Sequence, residues 1–175
     1  MKKTLVVFFV AFLCLSTVFA ASPTDLIKNS AVVYNLPYAG ITPENPLYIF
    51  KQWRDDLIEF FTRDYIQKAQ FLLVSSDKRA HIALILAGRG KTRQSVDVMA
   101  DAEERALRIP PLLVESKKQG TAANEQFIFT LKLSNTKHKE VIQELAKLLP
   151  QGQEDDALSA LLDLNKRVAQ ELQSL

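Results

Sequence analysis

Cysteine, glycine and histidine are scarce in this chain, and each scarcity excludes a class of protein. The 175 residues include one cysteine, five glycines and two histidines. Cys14 is the single thiol, so an internal disulfide and a zinc site built from cysteine pairs are both excluded. The sequence contains neither a glycine-rich nucleotide-binding turn nor a Gly-x-Ser-x-Gly motif. We therefore expect a protein that is not an enzyme, with no catalytic, cofactor-binding or metal-binding residues, no cofactor and no small-molecule substrate.

The N-terminus has the pattern of a secretory signal peptide. A short basic start, Met1-Lys2-Lys3, precedes an almost wholly apolar stretch over residues 4–19, and Ala20 follows as a small residue. This order predicts a signal peptide over residues 1–20 with cleavage after Ala20. An uncleaved membrane anchor is the alternative, but the apolar run is short for a membrane span. We expect an extracytoplasmic protein, secreted or held at the cell envelope, and membrane-anchored if the segment is retained.

The charge balance gives no general reason to expect nucleic-acid binding. The chain has 22 basic and 20 acidic residues. Lys2 and Lys3 belong to the predicted signal peptide, so cleavage leaves 20 residues of each sign. A net charge near zero does not attract a polyanion. The expected partner is instead an unidentified envelope or extracellular protein, and a membrane surface is the second possibility.

The remainder of the chain predicts an all-α fold after a linker or arm over residues 21–44. Long segments with helical apolar periodicity, separated by short loops, are typical of an antiparallel bundle of about five amphipathic helices. The predicted helices cover residues 46–61, 65–87, 92–118, 123–149 and 154–175. Asn45 is placed to cap the first helix and Pro46 to start it. Pro110 and Pro111 should kink or divide the third helix, because each ring removes an amide and clashes with the preceding turn.

The first predicted helix carries an aromatic stripe that permits two interpretations. Four large residues recur at alternating spacings of three and four: Phe50, Trp53, Leu57 and Phe60. The simpler interpretation is that this stripe forms core against the second helix. The alternative is a partly exposed patch for a partner or a membrane surface, since Ile49, Ile58 and Phe61 lie off the stripe. The candidate residues of that patch are Tyr48, Trp53, Phe60 and Phe61.

Two groups of charged residues need an interpretation as well. Arg89, Lys91 and Arg93 are concentrated at a predicted turn before a helix, where cations and free amides could hold an anion. A solvated turn is the simpler interpretation of this basic segment. The carboxylates of the first helix, among them Asp55 and Glu59, lie opposite the aromatic stripe, and we expect them to be solvated.

The last two helices should meet in a register that brings His138 and Asn165 together. In an antiparallel helix pair, the residue numbers of two facing positions have a nearly constant sum. This rule predicts one set of contacts between the last two helices. The predicted pairs are Leu145 with Leu158, Val141 with Leu162, Leu131 with Leu172, and His138 with Asn165. We interpret His138 and Asn165 as a structural polar layer that fixes the helix register. A metal site at His138 is disfavoured because Lys137 and Lys139 flank it.

One short segment resembles a known family. The stretch Gly40 to Tyr48, GITPENPLY, and the following Lys51 resemble the motif P-(D/E)-(S/N)-P-L-Y-x-x-K. This motif opens a family of bacterial extracytoplasmic helical domains of unknown function. Lys68 and Phe71 fit the lysine and aromatic positions of the helix that follows in that family. The resemblance covers roughly residues 40–120. It implies a helical extracytoplasmic fold without an established enzyme activity, and it supplies no catalytic residue.

The signal-peptide prediction can be checked directly on protein recovered from expressing cells. We expect mass spectrometry to give an N-terminus at Ala21, because signal peptidase reads the small residue at position 20. Recovery of an intact chain that begins at Met1, in the membrane fraction, would show that the segment is retained as an anchor.

Overall fold

The structure is a computed structural model that describes residues 34–148 and 155–175. The predicted signal peptide, the first part of the linker and the loop over residues 149–154 lie outside the described residues. All described residues belong to one unit that begins at Tyr34.

The described residues form six α-helices and contain no strand. The helices are α1 Tyr48–Phe61, α2 Tyr65–Gly88, α3 Thr92–Leu107, α4 Ile109–Lys118, α5 Glu125–Leu148 and α6 Asp155–Gln173. The helices pack against one another, and α2 lies at the centre with contacts to α1, α3, α4 and α5. The predicted all-α class is confirmed.

The start of α1 differs from the prediction by two residues. Asn45 does accept a hydrogen bond at its side-chain oxygen, but the donor is the amide of Leu47 at 2.9 Å. Leu47 is the N-cap residue, and Tyr48 is the first helical residue. The reason is a turn in front of the helix, in which the amide of Asn45 donates to the carbonyl of Thr42 at 3.0 Å. Asn45 therefore stabilises the turn that leads into α1.

The adjacent prolines divide the predicted third helix into α3 and α4. The break is one residue wide and falls at Arg108, whose amide donates to the carbonyl of Arg105. Pro110 and Pro111 occupy the first turn of α4. Amides have no partner within the helix at that position, so their loss there costs no hydrogen bond.

Two large apolar clusters form most of the core; the first joins α2, α3, α5 and α6, and the second joins α2 to α6. The first joins small residues of α2, such as Ala80 and Ala83, to Met99 of α3 and Leu145 of α5. The second surrounds Leu72 and includes residues of α4, α5 and α6. Residues of α1 belong to neither cluster. Small side chains on α2 let its neighbours approach closely, and α1 lies outside this packing.

One predicted pair of the last hairpin is wrong. Val141 packs in the first cluster with Leu161, which is 2% exposed, whereas Leu162 is 39% exposed. The buried residues of α6 are Leu158, Leu161, Asn165, Val168 and Leu172. Their spacing of three and four keeps one face of α6 on the core, and position 162 falls outside that face. Leu145 and Leu158 both lie in the first cluster, and Leu131 and Leu172 both lie in the second, as predicted.

A matched pair of neighbouring substitutions tests this register. Leu161→Ala should lower the free energy of unfolding by about 2–5 kcal/mol, because it leaves a cavity in the core. Leu162→Ala should lower it by less than about 1 kcal/mol, because that side chain is largely solvated. Chemical denaturation of both variants measures the difference. Equal losses in the two variants would contradict the register of α6.

Candidate functional site

Helix α1 packs on the domain with its polar side, and its aromatic side faces outward. Four aromatic and aliphatic side chains define this outward side, which we name the aromatic face: Phe50, Trp53, Leu57 and Phe60. Phe61 lies at its edge. The exposed fraction of these residues lies between 57% and 78%. The core interpretation of the stripe is therefore wrong for this helix, and three of the four candidate patch residues, Trp53, Phe60 and Phe61, are exposed.

Tyr48, the fourth candidate patch residue, lies on the opposite side of α1. Its ring is half-buried and packs against the small cluster of Ala39, Ile82 and Leu86. Burial raises the pKa of the Tyr48 hydroxyl. The ammonium of Lys51 lies 5.4 Å from the centroid of the Tyr48 ring. Tyr48 is thus an apolar anchor of α1 on the domain and does not extend the aromatic face.

The inward side of α1 carries acidic residues, which corrects the expectation that they are solvated. Asp55 and Glu59 are the buried residues of this helix. Glu59 ion-pairs with Arg108 and lies 3.4 Å from the Nη1 atom of Arg105. Asp55 accepts from the Nη2 atom of Arg54 at 2.7 Å. Burying a carboxylate is costly unless it is paired, and the arginines supply the pairing. The pairs of Glu59 therefore hold the polar side of α1 on the domain, whereas Asp55 is paired within α1.

The segment before α1 also lies against α2. Ala39 is buried, and the Nζ atom of Lys51 donates to the carbonyls of Ala39 and Ile41 at 3.2 and 3.3 Å. The Nδ1 atom of His81 lies 2.8 Å from the carbonyl of Pro37. The segment before α1 is therefore bound to α2 through His81 and to α1 through Lys51, and these contacts leave the aromatic face uncovered by the described residues.

The predicted anion contact is occupied by a residue of the chain itself. Arg89 ion-pairs with Glu44, and the Nζ atom of Lys91 lies 3.8 Å from the same carboxylate. Arg93 is exposed on the first turn of α3. Because the Glu44 carboxylate contacts both Arg89 and Lys91, it neutralises one positive charge and occupies the place where an external anion would contact these two cations.

His138 lies in a buried ionic cluster. Its Nδ1 atom is 2.9 Å from Glu103, and its Nε2 atom is 3.1 Å from Asp77. Burial lowers the pKa of His138, but the hydrogen bonds and charges of Asp77 and Glu103 outweigh this effect and raise it to about 9. The ring is therefore protonated at neutral pH and donates from both nitrogens.

Asn165 joins the same cluster through Glu103. Its Nδ2 atom is 3.4 Å from Glu103, and it also donates to the carbonyl and side-chain oxygens of Asn135 at 3.0 Å. His138 and Asn165 thus lie against opposite oxygens of one carboxylate. The cluster links α2, α3, α5 and α6, because Asp77 lies on α2 and Glu103 on α3.

Asp77 has two further partners. The hydroxyl of Tyr34 donates to its Oδ2 atom at 2.6 Å, and Ser134 donates to its Oδ1 atom at 2.6 Å. Burial raises the pKa of Tyr34, and the hydrogen bond to Asp77 raises it further. All buried polar side chains among the described residues have a hydrogen-bond partner. The cluster is therefore saturated, and its members are closed to an external substrate.

The sequence interpretation missed Asp77 and Glu103, although both carry a recognisable signal. Asp77 lies four residues after Leu73 and three before Ala80, so it occupies a position of the apolar stripe of α2. Glu103 lies four residues after Met99 and three before Ala106, so it occupies a position of the apolar stripe of α3. An acidic residue inside an apolar stripe indicates a buried carboxylate that needs a cationic partner.

The described residues contain neither a metal-binding group nor a membrane-spanning helix. Residues 34–148 and 155–175 contain no group of three histidine, cysteine or acidic side chains that could hold a metal ion. Within the same ranges, every helix is too short or too polar to cross a bilayer.

The fold and the surface define an all-α domain whose first helix presents apolar side chains outward. The chain belongs to the family described as "Domain of unknown function (DUF5667)", which matches residues 40–152. The matched range includes α1 and the Asp77, Glu103 and His138 side chains, whereas Asn165 lies beyond it. No curated protein and no solved structure matches the chain. Membership confirms a family of unknown function, while the entry motif and the bacterial origin stay predictions.

The His138 cluster should make stability depend on pH. The pKa of His138 is about 6.5 in an unfolded chain and about 9 in the folded one, so the folded state binds the extra proton. The stabilisation is complete below pH of about 6.5 and is lost as the pH rises through about 9. We expect the free energy of unfolding to fall by about 3 kcal/mol over this window.

Chemical denaturation at a series of pH values measures this fall, and two histidine variants control it. His138→Gln should be less stable at neutral pH and should lose the pH dependence in this window. His81→Gln changes the other histidine and should retain the dependence. A wild-type profile that is flat between these pH values would contradict a protonated His138.

Proposed function

We propose that this protein is a non-enzymatic interaction module outside the cytoplasm that attaches to another component of the cell envelope through the aromatic face of α1. The observation that carries the proposal is the orientation of this helix. Its acidic side packs on the domain, and its large apolar side chains point away from it.

The size of the aromatic face supports a binding role. Phe50, Trp53, Phe60 and Phe61 expose between 63% and 78% of their surface. At about 150–250 Å² for each aromatic side chain, they present about 500 Å² of apolar surface. Monomeric proteins rarely expose contiguous apolar patches above a few hundred Å². A standard interface buries about 800 Å² on each partner, so this face supplies more than half of one.

The arrangement of the side chains supports the same role. Phe50, Trp53, Leu57 and Phe60 recur along one side of the helix, in the spacing by which helices dock through a row of apolar anchors. The rings of Phe50 and Trp53 pack edge to face at 6.3 Å between centroids. Phe60 and Phe61 pack in the same way at 5.3 Å. Rings that already pack against one another have less side-chain entropy to lose on binding.

The predicted signal peptide supports a location outside the cytoplasm. The buried polar cluster supports a role without chemistry, because its titratable side chains already bind one another. We therefore place the function at the surface of α1, and the His138 cluster stabilises the domain that carries this surface.

Site-specific photocrosslinking in the native cell tests the proposed function. The photoreactive residue p-benzoylphenylalanine replaces Phe60 in one variant and Phe129 in the other. Phe129 is a matched control because it is an exposed phenylalanine on α5. We expect crosslinked adducts with an envelope component from position 60 and few or none from position 129.

The masses of the adducts show what is bound, and their yield tests the surface. A Trp53→Gln substitution combined with the probe at position 60 should reduce the adduct yield, because it removes a central side chain of the face. Equal yields from positions 60 and 129, or a yield that Trp53→Gln leaves unchanged, would overturn the proposal.

A further inference from the structure

Cations border the aromatic face on one side of α1. A hollow of about 250 Å³ beside this helix is lined by Lys51, Arg54 and Lys78. Arg54 pairs with Asp55, whereas the Nζ atom of Lys51 donates to two backbone carbonyls. Among the described residues, no carboxylate lies within ion-pair distance of Lys78 or Lys51. The hollow therefore holds three positive charges and one negative charge in contact with them.

Burial and the surrounding charges both affect Lys51. Burial lowers the pKa of its ammonium, and the charges of Arg79, Lys78 and Arg54 lower it further against the opposing effect of Asp55. Two of these cations, Lys78 and Arg54, line the hollow, so an anion that entered it would offset their effect on Lys51. The geometry of the three side chains around one hollow thus favours a negatively charged group.

Apolar side chains continue from the aromatic face to the same hollow. Tyr38 and Ile41 line it and are exposed. They belong to the segment before α1, so the apolar surface is wider than one helix. A broad apolar surface beside a cationic hollow can contact acyl chains and phosphates together.

The opposite edge of the aromatic face is also bordered by cations. Lys68 and Arg108 line a second hollow together with Phe60. Glu59 neutralises Arg108, and Asp56 lies 3.6 Å from Arg105, so this edge is balanced in charge. The net positive charge therefore lies on the side of Lys51, Arg54 and Lys78.

We propose that the aromatic face of α1 lies on an anionic membrane surface, with lipid phosphates held in the hollow lined by Lys51, Arg54 and Lys78. The inference rests on the proposed function, because it names what the face attaches to. Phenylalanine, tryptophan and leucine on one side of a helix that lies in the membrane plane are typical of interfacial binding. Aromatic rings enter the headgroup region, and cations near the surface add attraction to anionic lipids.

Charge favours a membrane over a groove in a partner protein. A protein groove that accepts a single helix needs only the row of apolar anchors. The cationic hollow and the exposed Tyr38 and Ile41 would extend beyond such a groove. A membrane surface is broad enough to contact all of these features together. The experiments must therefore distinguish binding to a membrane from binding to a protein partner.

Fluorescence of Trp53 tests the inference, because it is the single tryptophan of the chain and lies at the centre of the aromatic face. The protein is used in the form recovered from expressing cells. It is mixed with vesicles of phosphatidylcholine alone or of equal parts phosphatidylcholine and phosphatidylglycerol. We expect a blue shift of Trp53 emission with the anionic vesicles and quenching by brominated acyl chains. Anchoring through a retained signal segment alone would leave Trp53 in water.

A matched pair of charge variants tests the hollow. The double variant Arg54→Gln with Lys78→Gln removes two cations of the hollow. The measured quantity is the vesicle concentration needed for half of the blue shift. We expect it to rise about fivefold for each lost cation, or about 25-fold for both. Lys117→Gln with Lys118→Gln removes the same charge from exposed positions at the end of α4. The control pair should leave that concentration within about twofold of wild type, since the two positions lie outside the hollow.

A matched pair of phenylalanine variants tests the face. Phe60→Gln should raise the vesicle concentration needed for binding about tenfold or more, because it removes a large apolar side chain from the membrane contact. Phe129→Gln changes an exposed phenylalanine elsewhere and should not raise it. Circular dichroism of each variant confirms that the helices are retained.

Two outcomes would overturn the inference, and they separate it from the proposed function. Trp53 emission that anionic vesicles leave unchanged excludes a membrane contact of the face. Equal binding by the hollow variant and its control excludes the headgroup site. If position 60 nevertheless crosslinks to a protein in cells, the proposed function holds with a protein partner. If position 60 crosslinks to nothing, both proposals fail.

Discussion

The protonated His138 between Asp77 and Glu103 is the interaction on which the helix arrangement depends. One ring holds two carboxylates from α2 and α3, and Asn165 extends the contact to α6. Removal of one partner from such a buried set leaves an uncompensated charge, which typically costs 3–5 kcal/mol. The cluster lies between the two apolar clusters of the core. It adds directional contacts to packing that is otherwise non-directional, so it defines which helices face one another.

Helix α1 is attached to the domain mainly by ion pairs and hydrogen bonds, whereas the other helices are held together by apolar packing. The core of α2 to α6 is closed by apolar packing without residues of α1. Helix α1 is held by Tyr48, by Lys51 and by the ion pairs of Glu59. The apolar contact of Tyr48 and the ion pairs of Glu59 together fix the orientation of the helix, and they leave the aromatic face uncovered by the described residues. The same chain thus separates the residues that stabilise the domain from those proposed to bind.

The sequence predicted the helices well because each contains a long apolar periodicity. The division at Pro110 and Pro111 followed from the missing amides. The orientation of α1 could not be predicted, since amphipathicity identifies two sides of a helix but not which side meets the domain. The default assumption that apolar side chains are buried failed here because Arg105 and Arg108 pair with the acidic side. Leu161 and Leu162 show a related limit, because neighbouring leucines fit either register until the rest of the face is known.

The hydrogen bond from Tyr34 to Asp77 has a mechanical consequence. The hydroxyl of Tyr34 binds Asp77 of α2, and the carbonyl of Pro37 lies 2.8 Å from the Nδ1 atom of His81 on the same helix. A pull on the backbone at Tyr34 would load these two contacts with α2 before it reached the carbonyl of Ala39, which Lys51 of α1 binds. The tension would therefore pass into α2 at Asp77, and the aromatic face would keep its orientation under load.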